Sequence, residues 1–347
     1  MEKNVFLSKL VPLNFSLSLL IVLLHSSCEN LLIEGYGYEN FQLFFRAIGI
    51  IADAATPTFF FISSYLFFKN FTINDYKIKI KKRFYSLVLP FFLWSSIYFI
   101  VFAILQNLPF TPRINQTPIE GNVKFILKAL FNNEYNAPLW YLKTLFIYVL
   151  INPIIFILVR NTNKYSFILV LASLVSNYMY GFQYTSVFFW APAYLLGACC
   201  SIVYDKCFDE SFIKKNRKVY LTIFSLVFCS IIPLFIVAVN DLTKRGLAYY
   251  SLRMLSVIFI VLIIILFIPI IKERKIYKTS FFIFCSHSLI VLFIRKIASI
   301  FLNNNNFHVM LCYLITFIGT IIIIETIYKL LDRYMPKFLL VLCGGRK

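Results

Sequence analysis

The chain contains three histidines. One of them, His25, sits near the end of the first apolar run, LNFSLSLLIVLLHSSC (13–28). Asn14 lies eleven residues earlier and Ser18 seven. Eleven residues is close to three helical turns, so the three side chains share one face and rise along it by roughly 16 Å. This is a polar stripe ending in a titratable imidazole; the plain alternative is a histidine resting at the headgroup boundary. His287, between Ser286 and Ser288 in TSFFIFCSHSLIVLFIRK (279–296), lies near the middle of another apolar run. A histidine at that depth has no water boundary in reach and implies a polar interior. Arg46 and Asp53 are seven apart on one helical face, able to pair with each other or to reach polar neighbours. The plainer alternative has Arg46 snorkelling outward with Asp53 neutralising it. Lys81, Lys82 and Arg83 close the most basic stretch, KNFTINDYKIKIKKRF (69–84). It reads as an orientation signal touching anionic lipid, or as a landing site for a phosphate-rich cosubstrate.

These residues are carried on membrane helices. The chain is 60% hydrophobic, 19% aromatic and only 14% charged, with a mean hydropathy of +0.80. Soluble domains average about 45–50% apolar and about 25% charged. The fold class expected is therefore all-α, a polytopic integral membrane bundle forming a single domain over 1–347. Ten spans are expected, near 10–27, 43–68, 85–105, 139–159, 165–181, 185–204, 219–239, 248–271, 279–301 and 309–328. The net charge of +19 would suggest nucleic acid in a soluble protein, but here it follows topology. Alternate connections (1–9, 69–84, 160–164, 205–218, 272–278 and 329–347) hold 24 of the 34 Lys and Arg. The positive-inside rule puts both termini in the cytoplasm and His25 toward the outer side. The first span reads as a retained helix, since no small-residue cleavage pattern follows it.

Local features refine the picture. Pro57 is expected to kink span 2, and Pro90 with Trp94 to interrupt span 3. The connection 106–138 carries Pro109, Pro112 and Pro118, then NVKFILKALF, whose Lys124 and Lys128 oppose an apolar face as in a surface helix. Trp140 and Tyr141 fit an aromatic belt, whereas Lys143 just inside is less easily dismissed. Ala191, Ala193, Gly197 and Ala198 permit close helix contact. Arg253 is expected to snorkel, Arg295 and Lys296 to lead to the outer face, His308 to be solvated, and Glu325 to sit at an interface. The eight cysteines are scattered without a CxxC or Cys/His cluster, so no metal site and no disulfide framework is expected. No nucleotide-binding loop, HExxH or GxSxG stands in a usable context.

Six segments, in order, resemble acyltransferase family 3, integral-membrane enzymes that move acyl groups from acyl-CoA to sugars and other envelope molecules. His25 stands where that family places its essential histidine. PTFFFISSYLFF (57–68), KKRFYSLVLPFFLW (81–94), PLWYLKTLFIYVLINP (138–153), APAYLLGA (191–198) and SFFIFCSHSLIV (280–291) follow its later segments. Two positions depart: Asn14 replaces an arginine, and Ser64 replaces the glycine of an SGY triplet.

The resemblance implies transfer of a short acyl group, acetyl first, from cytoplasmic acyl-CoA to a hydroxyl of an envelope polysaccharide or lipid-linked sugar. His25 would be the general base, with an acyl-histidine intermediate as a variant. Asn14, Arg46, Ser63, Ser64, Tyr65, Lys82, Arg83, Trp140, Tyr141 and His287 would bind donor or acceptor. Acyl-CoA is a cosubstrate rather than a bound cofactor, and membrane lipids are partners while nucleic acid is not. The setting implied is a bacterial cytoplasmic membrane. Two other readings stay open: a flippase or exporter of a lipid-linked saccharide, supported by interior Arg46, Asp53 and His287, and a structural or sensory membrane subunit.

Overall fold

The computed structural model describes residues 4–34, 37–107, 122–184, 186–240, 246–301 and 305–346. Pro109, Pro112, Pro118 and part of the asparagine run at 303–306 lie outside them. Among the described residues the protein is helical, its one pairing of extended backbone being an isolated bridge between Asn4 and Asp209.

The helices in chain order are α1 (Leu10–His25), α2 (Tyr38–Asp53), α3 (Ala55–Phe68), α4 (Tyr76–Arg83), α5 (Leu89–Gln106), α6 (Val123–Asn132), α7 (Trp140–Thr162) and α8 (Phe167–Tyr180). They continue with α9 (Val187–Ile202), α10 (Glu210–Lys215), α11 (Arg217–Asn240), α12 (Leu247–Leu266), α13 (Ser280–Phe301), α14 (Asn306–Tyr334) and α15 (Pro336–Leu342).

Among the described residues, eight helical stretches are long and apolar enough to cross a bilayer. Two further apolar helices, α8 and α9, stand where the fifth and sixth spans are expected, but with only 14 and 16 residues. That is short of the roughly 20 residues a bilayer core demands. Apolar side chains face outward along the long helices, including Leu226, Ile236, Phe301 and Ile322. A soluble surface would not sustain that apolar area; lipid would.

The helix breaks have local causes. Span 2 divides at Ala54, three residues before Pro57, because Pro57 lacks the N–H that would bond one turn back. Pro90 is accommodated in the first turn of α5, behind a five-residue π-helical turn, Phe84–Val88. The expected surface helix is α6, begun by Asn122, whose side chain accepts from the Phe125 N–H at 2.7 Å.

Helix α3 lies against α9 at van der Waals distance because of Gly197. A Cβ there would sit 2.3 Å from the Phe61 carbonyl oxygen and 3.0 Å from Ser64 Cβ. This is the close contact foreseen from the small residues of 191–198, and it explains why Ser64 is buried between backbones. Around it the core is aromatic: Phe60, Phe61, Tyr65, Trp190 and Tyr194 are all buried. Helices α1 and α13 pack side by side, fastened at one end by Ser18 and Ser280, whose hydroxyls lie 2.7 Å apart, and at the other by Arg295 donating to the Ser27 carbonyl at 3.1 Å. Cys28 and Cys312 bring α14 against the end of α1, their sulfurs 3.7 Å apart.

Candidate active site

The packing of α1 on α13 brings the two interior histidines together. The rings of His25 and His287 lie 5.1 Å apart, centroid to centroid. His287 is fully buried, and its Nδ1 lies 2.8 Å from the Phe284 carbonyl and 3.2 Å from that of Ile283. A carbonyl only accepts, so Nδ1 carries the proton and Nε2 the lone pair. That Nε2 is buried with no protein partner. His25 is exposed as a residue, while the His287 ring lies beside its own and Asp53 and Arg295 are within electrostatic reach.

Two residues not foreseen from the sequence hold the His287 turn in place. The Tyr98 hydroxyl donates to the Ser286 carbonyl (2.9 Å) and accepts from the Ser288 hydroxyl (3.0 Å) and the Leu289 N–H (3.1 Å). The Asn136 amide donates to the Cys285 carbonyl (3.1 Å), and its oxygen accepts from Ser288 (3.2 Å). Polar groups buried in mid-helix need such partners, and a complete set rigidifies the turn. A tyrosine and an asparagine in apolar or loop sequence carry no local sign of this role.

A cavity of about 450 Å³ approaches the pair from one end of the bundle. Its α1 wall is Val11, Asn14 and Ser18; its α13 wall is Ser280, Phe281 and Phe284; Ser63 and Tyr141 face it from α3 and α7, hydrogen-bonded to each other at 3.0 Å. The mouth carries Arg83, Lys278, Arg346 and Glu273. Phe284 is the last ring before the histidines, 6.3 Å from His287 and 5.5 Å from Tyr141. From Ser18 to His25 the helix rises about 10 Å, so the pair stands just beyond the inner end of this cavity.

A second cavity of about 270 Å³ approaches from the other end, lined by Leu24, Ser27, Glu29, Arg46, Asp53, Tyr184, Tyr249 and Arg253 among others. Here one open choice is decided and one expectation corrected. Of the two alternatives, Arg46 and Asp53 each take a polar neighbour rather than each other: Arg46 reaches Glu29 at 3.7 Å, and Asp53 pairs with Arg253. Arg253 does not snorkel; it is buried among Tyr249, Tyr184, Phe189 and Trp190, with ring centroids 4.3 to 5.7 Å from its guanidinium carbon. Aromatic faces and one carboxylate replace the water it gives up.

The remaining candidates divide. Asn14, Ser63, Arg83 and Tyr141 meet at the first cavity. Ser64 is locked at the α3–α9 contact. Tyr65 donates to Asp205 at 2.6 Å and accepts from Asn4 at 2.9 Å, away from the cavity wall. Trp140 stacks on Trp190 at 5.3 Å behind Tyr141. In the basic stretch, Lys69 pairs with Asp205 at 2.5 Å, Lys79 donates to the carbonyls of Phe67 (2.5 Å) and Lys69 (3.1 Å) at the end of α3, and Lys81 and Lys82 are exposed. Arg83 is the cation of this stretch that lines the cavity. Glu325 is buried and accepts from Thr279 at 2.7 Å, an interface group as expected. His308 is half-buried with an unpartnered Nδ1 rather than solvated. Among the described residues no cluster of His, Cys, Asp or Glu has the makings of a metal site.

No curated protein and no solved structure matches the chain. The acyltransferase-domain family model does, over residues 16–325, a stretch that holds both histidines and most of the walls of both cavities. The protein is a multi-pass membrane acyltransferase and belongs to acyltransferase family 3.

Proposed function

We propose that this acyltransferase moves a short acyl group, acetyl in the first instance, from cytoplasmic acyl-CoA to a hydroxyl of an envelope polysaccharide or lipid-linked sugar at a bacterial cytoplasmic membrane. The observation that carries the reading is the placement of the His25–His287 pair between two cavities approaching from opposite ends. The cavity with the cationic mouth lies on the side that the basic connections assign to the cytoplasm, where acyl-CoA is found. The other, with Glu29, Arg46 and Asp53, lies on the outer side and offers charged and polar partners to a sugar.

In this mechanism Arg83 and its neighbours hold the donor's phosphates and the thioester arm runs along Ser63, Tyr141 and Phe284 toward the pair. His25 takes the proton of the acceptor hydroxyl as its oxygen attacks the thioester carbonyl. The carbon–sulfur bond breaks, the proton passes from His25 to the departing thiolate, and the products are the ester and free CoA thiol. In the two-step variant the imidazole itself carries the acyl group between donor and acceptor. His287, its Nδ1 proton committed to the Phe284 carbonyl, presents a lone pair that orients the incoming hydroxyl or the His25 ring.

The deciding experiment is mass spectrometry of envelope glycans from wild type, a deletion strain, and the deletion complemented with His25→Ala. An acyl mass that vanishes on deletion and is not restored by a well-inserted His25→Ala protein supports the reading. A positioned base contributes about 10²–10⁴-fold, so transfer at the wild-type rate by His25→Ala overturns it. Unchanged acylation with reduced glycan export would favour the exporter instead.

A further inference from the structure

The segment following α15 turns back into the bundle. The Leu342 carbonyl accepts from Trp94 Nε1 at 3.2 Å, and Leu339, Leu342 and Cys343 are buried. At Gly344 the chain passes over the π-helical turn 84–88 with φ +61°, where a Cβ would lie 2.6 Å from the Ser86 carbonyl oxygen. Only glycine fits that conformation at that distance. The turn delivers Arg346 to the mouth of the first cavity, beside the elements that carry Arg83 and Lys278.

Arg346 stacks on Phe281, 4.2 Å from the ring centroid, and one terminal nitrogen, Nη1, donates to the Ser86 carbonyl at 3.1 Å and the Cys343 carbonyl at 3.4 Å. Its other terminal nitrogen and Nε remain for a ligand. Arg83 is steadied by the Phe67 ring at 5.9 Å. Neither arginine forms an ion pair within 4 Å among the described residues, and burial together with the nearby charge of Arg83 pushes the Arg346 pKa down to about 10. The one carboxylate at this mouth, Glu273, is ion-paired to neither arginine, so the two guanidinium groups repel each other, an arrangement that an anion with several oxygens relieves.

We propose that Arg346 and Arg83 together form a two-arginine clamp for the diphosphate of the acyl donor, with Lys278 as an outer cation. The inference rests on the acyl-CoA reading for the identity of the anion, but not for the existence of the site. The family resemblance ends at residue 325 and does not reach Arg346.

The test is binding to the purified full chain in detergent, wild type against Arg346→Gln and Arg346→Lys, with three probes: CoA, inorganic pyrophosphate and S-acetyl-pantetheine, which lacks phosphate. A lost charge-assisted hydrogen bond weakens binding about tenfold or more. Arg346→Gln is therefore expected to weaken CoA and pyrophosphate by that factor, leaving S-acetyl-pantetheine unchanged. Arg346→Lys keeps the charge without the planar fork and falls between, which also serves if Arg346→Gln does not fold. Equal CoA binding by wild type and a folded Arg346→Gln overturns the clamp while the donor reading stands. Arg346-dependent pyrophosphate binding without CoA binding supports the anion site and sinks the donor reading. Binding of neither by the wild type overturns both.

Discussion

Asp53 on α2 and Arg253 on α12, 200 residues apart, form an ion pair inside the bundle, completed by the Tyr249 hydroxyl donating to Asp53 at 2.9 Å. The carboxylate is 3% exposed and the guanidinium 10%, so removing one partner strands the other's charge. The pair borders the second cavity, and Asp53 is also within electrostatic reach of His25.

Asp53→Asn or Arg253→Gln alone should therefore destabilise the protein by about 3–5 kcal/mol, and the double variant by less than the sum. Thermal unfolding in detergent, run as a double-mutant cycle, checks this. Additive losses would mean the two charges do not depend on each other.

Gly197→Ala should be among the most damaging single-methyl changes, because the new Cβ meets the Phe61 backbone rather than a movable side chain. The helices must part, at a cost of about 1–3 kcal/mol. Gly49→Ala is the control: its Cβ would meet nothing closer than the Leu24 side chain at 4.0 Å. Comparable melting temperatures for the two variants would contradict the α3–α9 contact.

Tyr98→Phe removes a donor and acceptor serving three groups around His287. Acyl transfer should slow by about tenfold or more through kcat, with donor KM near wild type, since the tyrosine touches neither cavity wall. A change confined to KM would place Tyr98 in binding rather than in positioning.

Cys28 and Cys312 should cross-link reversibly under a mild oxidant, their sulfurs needing to close from 3.7 Å to about 2 Å. A gel shift reversed by reductant and absent in Cys28→Ser reports the α1–α14 register. Failure to cross-link the unfolded-and-refolded control as well would point to inaccessible thiols, whereas cross-linking there but not in the native protein would contradict the register.

Anion binding at the first cavity should hold at neutral pH and fall as pH passes about 10, where Arg346 loses its proton. The groups acting on it are Arg83, Cys285, Tyr141 and Cys343. For the empty protein the sign is opposite. A cation whose pKa is depressed on folding binds fewer protons than the unfolded chain above about pH 10, so its contribution to stability rises there. Pyrophosphate titrations and melting curves of the ligand-free protein across that range separate the two trends.

How much of this was legible before folding follows from what each feature depends on. Apolar runs of bilayer length, their basic and acidic connections, and the order of the six family-like segments are properties of consecutive residues, so helical class, membrane placement and family could be read directly. His25 and His287 stood out singly, since an imidazole in an apolar run is costly wherever the helix ends up. Their meeting at 5.1 Å depends on how α1 packs against α13, which no local pattern encodes. The same holds for Asp53, whose sequence neighbour Arg46 lies on the same face while its partner comes from α12. Within the basic stretch, charge alone could not separate Lys69 and Lys79, spent on Asp205 and on the end of α3, from Arg83, which lines the cavity. Arg346 is the extreme case: a basic residue among others by sequence, it enters the cavity because Gly344 turns the backbone over Ser86. The sequence by itself determined which residues must be buried and which are expensive to bury; only the tertiary structure decided who their partners are, because a buried charge or lone pair is satisfied by whatever the packing brings within reach, at any distance along the chain.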